Sequence, residues 1–252
     1  LLAKYSRDNE RQADDLGMEY MVRAGYNPQG MVGLMDMLQE KSTHTPSAFE
    51  QLFSSHPMSA ARYTRMRQEA FSTHKDALTG PFYRERYMDK TAGLRRIKPA
   101  IEAMQAGQKM MGEKRFGQAE QEFRKALKIA PNDYAGLVML SKSLLAQQRH
   151  AEAERVARQA AEVYPQEAQA LYFLGAARIS RKDFSGAYQA FQGYEQKLPG
   201  NPATTFLTGL SLEGMGRREQ AASHYVQYLR MTNQGDQAQY AYSRLQQWGI
   251  VQ

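Results

Sequence analysis

The stretch that decides the fold is YAGLVMLSKSLLAQQRHAEAERVARQAAEVYPQE, residues 134–167, followed by AQALYFLGAARISRKDFSGAYQAFQGYEQKLPGN, residues 168–201. Laid over each other, the two segments align without a gap at a spacing of 34 residues. Extending the register outward gives four units, 100–133, 134–167, 168–201 and 202–235. One alanine column (Ala119, Ala153, Ala187, Ala221) is followed four residues later by Phe123, Ala157, Phe191 and Tyr225. Small residues recur at Gly107, Ser141, Gly175 and Gly209, and Pro131, Pro165 and Pro199 close three units, with Asn233 in the fourth.

The small residues let two antiparallel helices approach, and the rings fill the gap to the next pair. Proline lacks an amide donor and stops the second helix of each unit. This pattern resembles the tetratricopeptide (TPR) repeat, in which each unit buries its apolar face only by stacking on its neighbours. Residues 236–252 then read as a capping helix, with Ala238, Ala241, Tyr242, Leu245 and Trp248 as its apolar positions and Gly249 as its stop. Trp248 reads as a packing residue.

In such solenoids positions 5 and 9 of each first helix line the concave side. Here these are Met104 and Gln108, Val138 and Lys142, Tyr172 and Ala176, and Phe206 and Leu210. With one Lys and no Asn, this set does not resemble the groove that clamps a C-terminal carboxylate. It suits an apolar or extended polypeptide, with Tyr172 and Phe206 as the expected anchors. Packing of some of these residues into the interior is the competing expectation.

Composition agrees with an all-α chain whose apolar residues are spread thinly, at 42% of the total. No apolar run reaches the roughly 18–20 residues of a membrane-spanning helix. The absence of cysteine excludes disulfides and thiolate metal sites. Charge is uneven: between Arg62 and Lys98 ten Lys and Arg face four acids, so this stretch carries +6 of the formal +7. A solvated basic face is the first reading of residues 62–98, and contact with anionic headgroups the second. No nucleic-acid reading module accompanies the charge.

Before the repeats, residues 3–24 show helical spacing, with Ala13, Leu16, Gly17, Tyr20, Met21 and Ala24 as the expected buried stripe. Gly25 ends that helix, and Asn27-Pro28 caps and starts the next, about 28–40. A loop near 42–47, a short helix near 48–53, and a break at His56-Pro57 lead into a helix near 58–73. Glu10 and Asp14 stand one turn apart beside the apolar edge, where two like charges are costly unless a cation meets them. The expected divisions are 1–78, a basic linker or helix over 79–99, the repeats over 100–235 and the cap over 236–252.

The segments NERQADDLG, AGYNPQGM and SSHPMSAAR resemble the C-terminal half of the CAAX-prenyl-protease-like zinc metallopeptidases. Within that family they are most similar to the TPR-bearing, bacterial periplasmic BepA-like proteases. The resemblance implies Glu10 as third zinc ligand and Asp14 as the carboxylate orienting a metal-bound histidine. It implies His56 as a histidine that approaches or gates the metal, and Arg62 as the group stabilising the oxyanion. It also implies a periplasmic or envelope-associated enzyme of protein quality control whose repeats bind substrate or partner polypeptides.

The departure lies in what the chain lacks. Its five histidines are His44, His56, His74, His150 and His224, no two of them four apart, so it contains no HExxH. A catalytic zinc takes three protein ligands, a water and a nearby base. The chain is therefore expected to be part of a larger metallopeptidase, inactive alone and holding no zinc stably. Apolar surface left uncovered by a missing half would favour self-association. A non-enzymatic TPR adaptor with a vestigial helical cap is the alternative.

Overall fold

The computed structural model describes residues 7–41 and 60–251 and, among these, is built from helices without strands. The expected loop near 42–47, the helix near 48–53 and His56 lie outside the described residues. Two compact units divide the chain, Leu1–Ala92 and Gly93–Gln252.

The first unit contains α1 (Arg7–Arg23), α2 (Gln29–Lys41) and α3 (Ala60–Gln68). A π-helical turn (Glu69–Thr73), a 3-10 turn (Lys75–Thr79) and α4 (Arg84–Lys90) follow. Gly25 takes φ 80°, a left-handed conformation that suits a residue without Cβ and turns the chain out of α1. Asn27 then caps α2: its Oδ1 accepts from the Gln29 amide at 2.9 Å. Its Nδ2 donates to the carbonyls of Leu78 at 2.7 Å and Gly80 at 3.1 Å, tying the start of α2 to a turn some fifty residues away.

The core of this unit is mostly methionine: Met18, Met35 and Met66, with Val32 and Ala70, are buried, and Met21, Met31 and Tyr63 pack against them. This corrects the stripe expected on α1. Met18 is fully buried, whereas Ala13 and Ala24 are exposed, Leu16 is 37% exposed and Tyr20 59%. The face that packs carries Asp14 and Met18; Asp14 is tolerated inside because α3 brings it an arginine.

The second unit is a TPR solenoid. Its first helices are α5 (Ala92–Gly112), α7 (Tyr134–Ala146), α9 (Gln169–Ser180) and α11 (Pro202–Gly214). Each is followed by its partner: α6 (Phe116–Ile129), α8 (His150–Val163), α10 (Phe184–Lys197) and α12 (Arg218–Met231). The partners start at Phe116, His150, Phe184 and Arg218, holding the 34-residue spacing. The cap is α13 (Asp236–Gln247), which buries Ala238, Ala241 and Leu245 but leaves Tyr242 exposed.

The turn inside each pair is left-handed at one recurring position: Lys114 (φ 59°), Gln148 (φ 61°), Lys182 (φ 61°) and Gly216 (φ 75°). The residues after them lead directly into the second helices, so this conformation sets the reversal of direction within each unit.

Candidate functional site

Arg62 reaches from α3 to α1 and joins two carboxylates. Its Nε and Nη2 donate to Asp14 Oδ2 and Oδ1, both at 2.8 Å, and its Nη1 lies 3.0 Å from Glu10 Oε2. The side chains of Glu10, Asp14 and Arg62 are 16%, 8% and 17% exposed, so the cluster is largely withdrawn from water. The bidentate bond to Asp14, opposed by burial and helped by the charges of Asp14 and Glu10, holds the Arg62 guanidinium above its ordinary pKa. Arg65, one turn on, ion-pairs with Asp15 and donates to the Arg11 carbonyl at 3.2 Å.

Three of the four residues singled out for the peptidase site thus converge, and the fourth, His56, lies outside the described residues. In this arrangement Arg62 is the cation that permits two acids beside a core. Sequence spacing places Glu10 and Asp14 on one helical face; which of the ten cations meets them is set by the packing of α3 on α1.

The described residues do not by themselves assemble a zinc centre. Such a centre needs three protein ligands, and among the described residues no group of three His, Asp or Glu side chains is gathered closely enough to hold a metal. Of the two candidate ligands, His56 lies outside the described residues, and one oxygen of Glu10 is paired with Arg62.

Along the solenoid, Gln108 and Lys142 are exposed and Met104, Tyr172, Ala176 and Leu210 partly buried. Tyr172 packs edge-on against Phe173 at 5.3 Å and lies 6.1 Å from Tyr194. Burial, with a smaller contribution from Tyr194, raises its phenol above the usual value. Val138 and Phe206 are core residues, 5% and 6% exposed. Phe206 is therefore corrected from an anchor to a packing ring, because Tyr225, Tyr228 and Tyr240 enclose it at 5.3–5.8 Å.

Beside it on the cap helix is Tyr240, 40% exposed. Counting the 34-residue period once more from Phe206 and Leu210 reaches Tyr240 and Arg244. Both meet Glu213: the Tyr240 hydroxyl lies 3.3 Å from Oε2, Tyr225 donates to the same oxygen at 2.7 Å, and Arg244 ion-pairs with Oε1. Trp248 stacks on Tyr225, with centroids 6.0 Å apart, and the guanidiniums of Arg218 and Arg244 lie 5.4 and 5.2 Å from its ring centre.

Buried acids also latch successive units. Glu120 of α6 binds Arg124 at 2.8 Å, Arg149 at 2.5 Å and Gln147 at 2.9 Å. One period on, Glu154 of α8 binds Arg158 at 2.5 Å, Arg178 at 3.3 Å and Arg181. Burial alone would raise both carboxyls, but these donors hold each of them below the usual carboxylate range. The Glu-to-Arg step of four residues, repeated at the period, was the available signal in the sequence.

Two likenesses meet in this chain: a segment similar to metallopeptidases and a set of TPR units. Residues 1–70 match Peptidase family M48, and residues 138–202 match a tetratricopeptide repeat. Metalloprotease YcaL of Escherichia coli (strain K12) is 34% identical over 70 residues, 28% of this chain and 26% of that protein. The chain thus spans about a quarter of the length of that curated relative. Among solved structures, the thermophilic TPR protein TTC0263 of Thermus thermophilus superposes with a TM-score of 0.53 at 17% identity, over 60% of this chain and 84% of that one. MamA from Desulfovibrio magneticus RS-1 does so at 0.52 and 14% identity, over 61% and 95%. At these identities the likeness establishes the helical repeat fold.

Proposed function

We propose that this chain is part of a zinc-dependent endopeptidase of envelope protein quality control, periplasmic or envelope-associated, whose TPR module binds substrate or partner polypeptides. The observation that carries the reading is the joining of Glu10 and Asp14 by Arg62, inside the segment similar to family M48. In this reading Glu10 supplies one zinc ligand, while the HExxH pair and its base come from sequence outside this chain. Asp14 and Arg62 hold the Glu10 helix in place. The chain alone is then inactive.

The groove of the second unit offers Met104, Gln108, Lys142, Tyr172 and Leu210, with Tyr240 of the cap beside them. These are apolar and aromatic surfaces with few charges, a chemistry that takes extended apolar polypeptide. Holding a chain there raises its concentration near the peptidase.

The test uses the intact protein from which this chain comes. It should bind one zinc per molecule, cleave a permanently unfolded polypeptide such as reduced, carboxymethylated lactalbumin, and lose zinc on Glu10→Gln. An intact protein that binds the polypeptide but neither binds zinc nor cleaves would leave the adaptor reading in its place.

A further inference from the structure

The cap helix α13 keeps the register of the repeats. Gln239, Ser243 and Gln246 are the 34-residue successors of Thr205, Gly209 and Leu212 on α11, and further back of Leu137, Ser141 and Leu144 on α7. Inside the units this face carries the second helix. Ser141 donates to the Ala153 carbonyl of α8 at 3.2 Å, and on α9 Arg178 donates to the Gly186 carbonyl of α10 at 2.9 Å. Gly175 and Gly209 lie under the rings of Phe191 and Tyr225. Leu137, Ser141, Leu144, Thr205 and Leu212 are accordingly at most 5% exposed. On α13 the same three positions are exposed, and among the described residues no second helix follows.

A polar outer face is what a terminal cap needs for solubility. Two features here exceed that need. Ser243 continues the small-residue column of Gly107, Ser141, Gly175 and Gly209, although an exposed position gains nothing from serine, a weaker helix former than Gln, Glu or Lys. Beside it runs an open apolar groove of about 500 Å³, lined by Val226, Leu229, Leu245 and Val251, with Tyr242 45% exposed at its edge. The groove lies where successive second helices meet. Arg124 of α6 stands 3.5 Å from Glu152 of α8, and Val226 is the successor of Arg124 three periods on.

We propose that the outer face of α13 docks an alanine-faced helix from another polypeptide, seated as a second helix is seated within each unit. The repeats state what such a helix must carry. Where the small residue is glycine, the second helix brings a ring; where it is Ser141, the matching residue is Ala157. Ser243 therefore selects alanine and excludes an aromatic, and its hydroxyl is placed to donate to the docked backbone as Ser141 does to Ala153. Val226 in place of Arg124 asks for an apolar residue where α8 has Glu152. The fitting pattern is an apolar residue, then Ala, then Ala four positions later. This face is separate from the concave positions and does not rest on the peptidase reading.

The test is fluorescence anisotropy of a labelled peptide titrated with the full chain. The probe copies residues 150–163 with Glu152→Leu, and a second probe adds Ala157→Phe. The first should bind saturably and the second about tenfold more weakly, the cost of forcing a ring against Ser243. Ser243→Gly in the chain should reverse that order. Ser243→Arg should abolish binding of the first probe, whereas Gln196→Arg, on an exposed position of α10, should leave it unchanged. Unchanged helicity by circular dichroism will show that the variants fold. Ser243→Arg should still bind reduced, carboxymethylated lactalbumin, which separates this face from the concave groove. No saturable binding, equal binding of the two probes to the parent chain, or binding that survives Ser243→Arg overturns the proposal. A dimer of the chain that Ser243→Arg dissociates would assign the face to a second copy and overturn it as well.

Discussion

A Cβ placed on Gly175 would stand 2.6 Å from the ring of Phe191, closer than real Cβ contacts come. The same relation holds between Gly107 and Phe123 at 2.5 Å and between Gly209 and Tyr225 at 2.8 Å. In the second repeat both members change together: Ser141 stands where the glycine would be, and Ala157 where the ring would be. Helix separation in each pair is thus set by a coupled choice, either glycine with an aromatic or a larger residue with alanine.

Gly175→Ala should therefore destabilise the solenoid by about 2 kcal/mol, within the usual range for overpacking. Ala157→Phe alone should cost a similar amount, and adding Ser141→Gly should recover part of it. Urea unfolding of the two single variants and the double reads the coupling directly. Strict additivity would refute the pairing.

The left-handed turn residues make a second prediction. Glycine already occupies this position at Gly216, whereas Gln148 and Lys182 hold it with a Cβ. Gln148→Gly and Lys182→Gly should each stabilise by about 0.5–1 kcal/mol, the relief of the left-handed penalty less the entropy of glycine. Gly216→Ala should destabilise by a similar amount. Thermal midpoints of the three variants, moving up, up and down, check the signs.

Acid should loosen the repeats through Glu120 and Glu154. Both carboxyls sit below their ordinary value when folded, so the unfolded chain binds their protons more readily. Their contribution is complete above the unfolded glutamate pKa of about 4.3 and disappears as pH falls through the lower folded values. Unfolding free energy measured between neutral and acid pH should stay level and then drop below that point. Glu154→Gln should flatten the drop.

In the first unit, Arg62→Met leaves Glu10 and Asp14 without their shared cation. Breaking such a largely buried pair should cost about 3 kcal/mol. Adding Asp14→Asn should restore part of the loss, because one of the two neighbouring acids is then neutral. Selective proteolysis of the first unit would report the change, and resistance equal to the parent chain would contradict it.

Leu16, Tyr20, Leu34 and Met37 remain 37–59% exposed on α1 and α2. The chain on its own should therefore associate as its concentration rises, and Tyr20→Glu with Leu34→Glu should suppress this. Light scattering that gives a monomer at every concentration would count against it.

The repeats were legible because one spacing recurs four times, and each of its columns has a packing reason that does not depend on distant sequence. The first unit was legible only by motif. Spacing predicts that α1 is amphipathic, yet it cannot say that Asp14 and Met18 face inward while Leu16 and Tyr20 face out. That choice belongs to Arg62, forty-eight residues later, and to the packing of α3. Phe206 was misread for a related reason: its three enclosing rings come from α12 and α13, beyond its own helix. Asn27 could be read as a cap from Asn-Pro, but its two bonds to the turn at Leu78 and Gly80 could not.

The methionines of the first unit carry a liability of their own. Met18, Met35 and Met66 are shut away, and Met21 and Met31 adjoin them, in a chain with no thiol to intercept an oxidant. While the helices stay together their sulfurs are shielded. Any excursion that opens α1 offers them to peroxide, and a sulfoxide is too polar to return to such an interior. Oxidative damage would then act as a ratchet, turning a brief local opening of this unit into a lasting one and leaving the alanine-rich repeats intact.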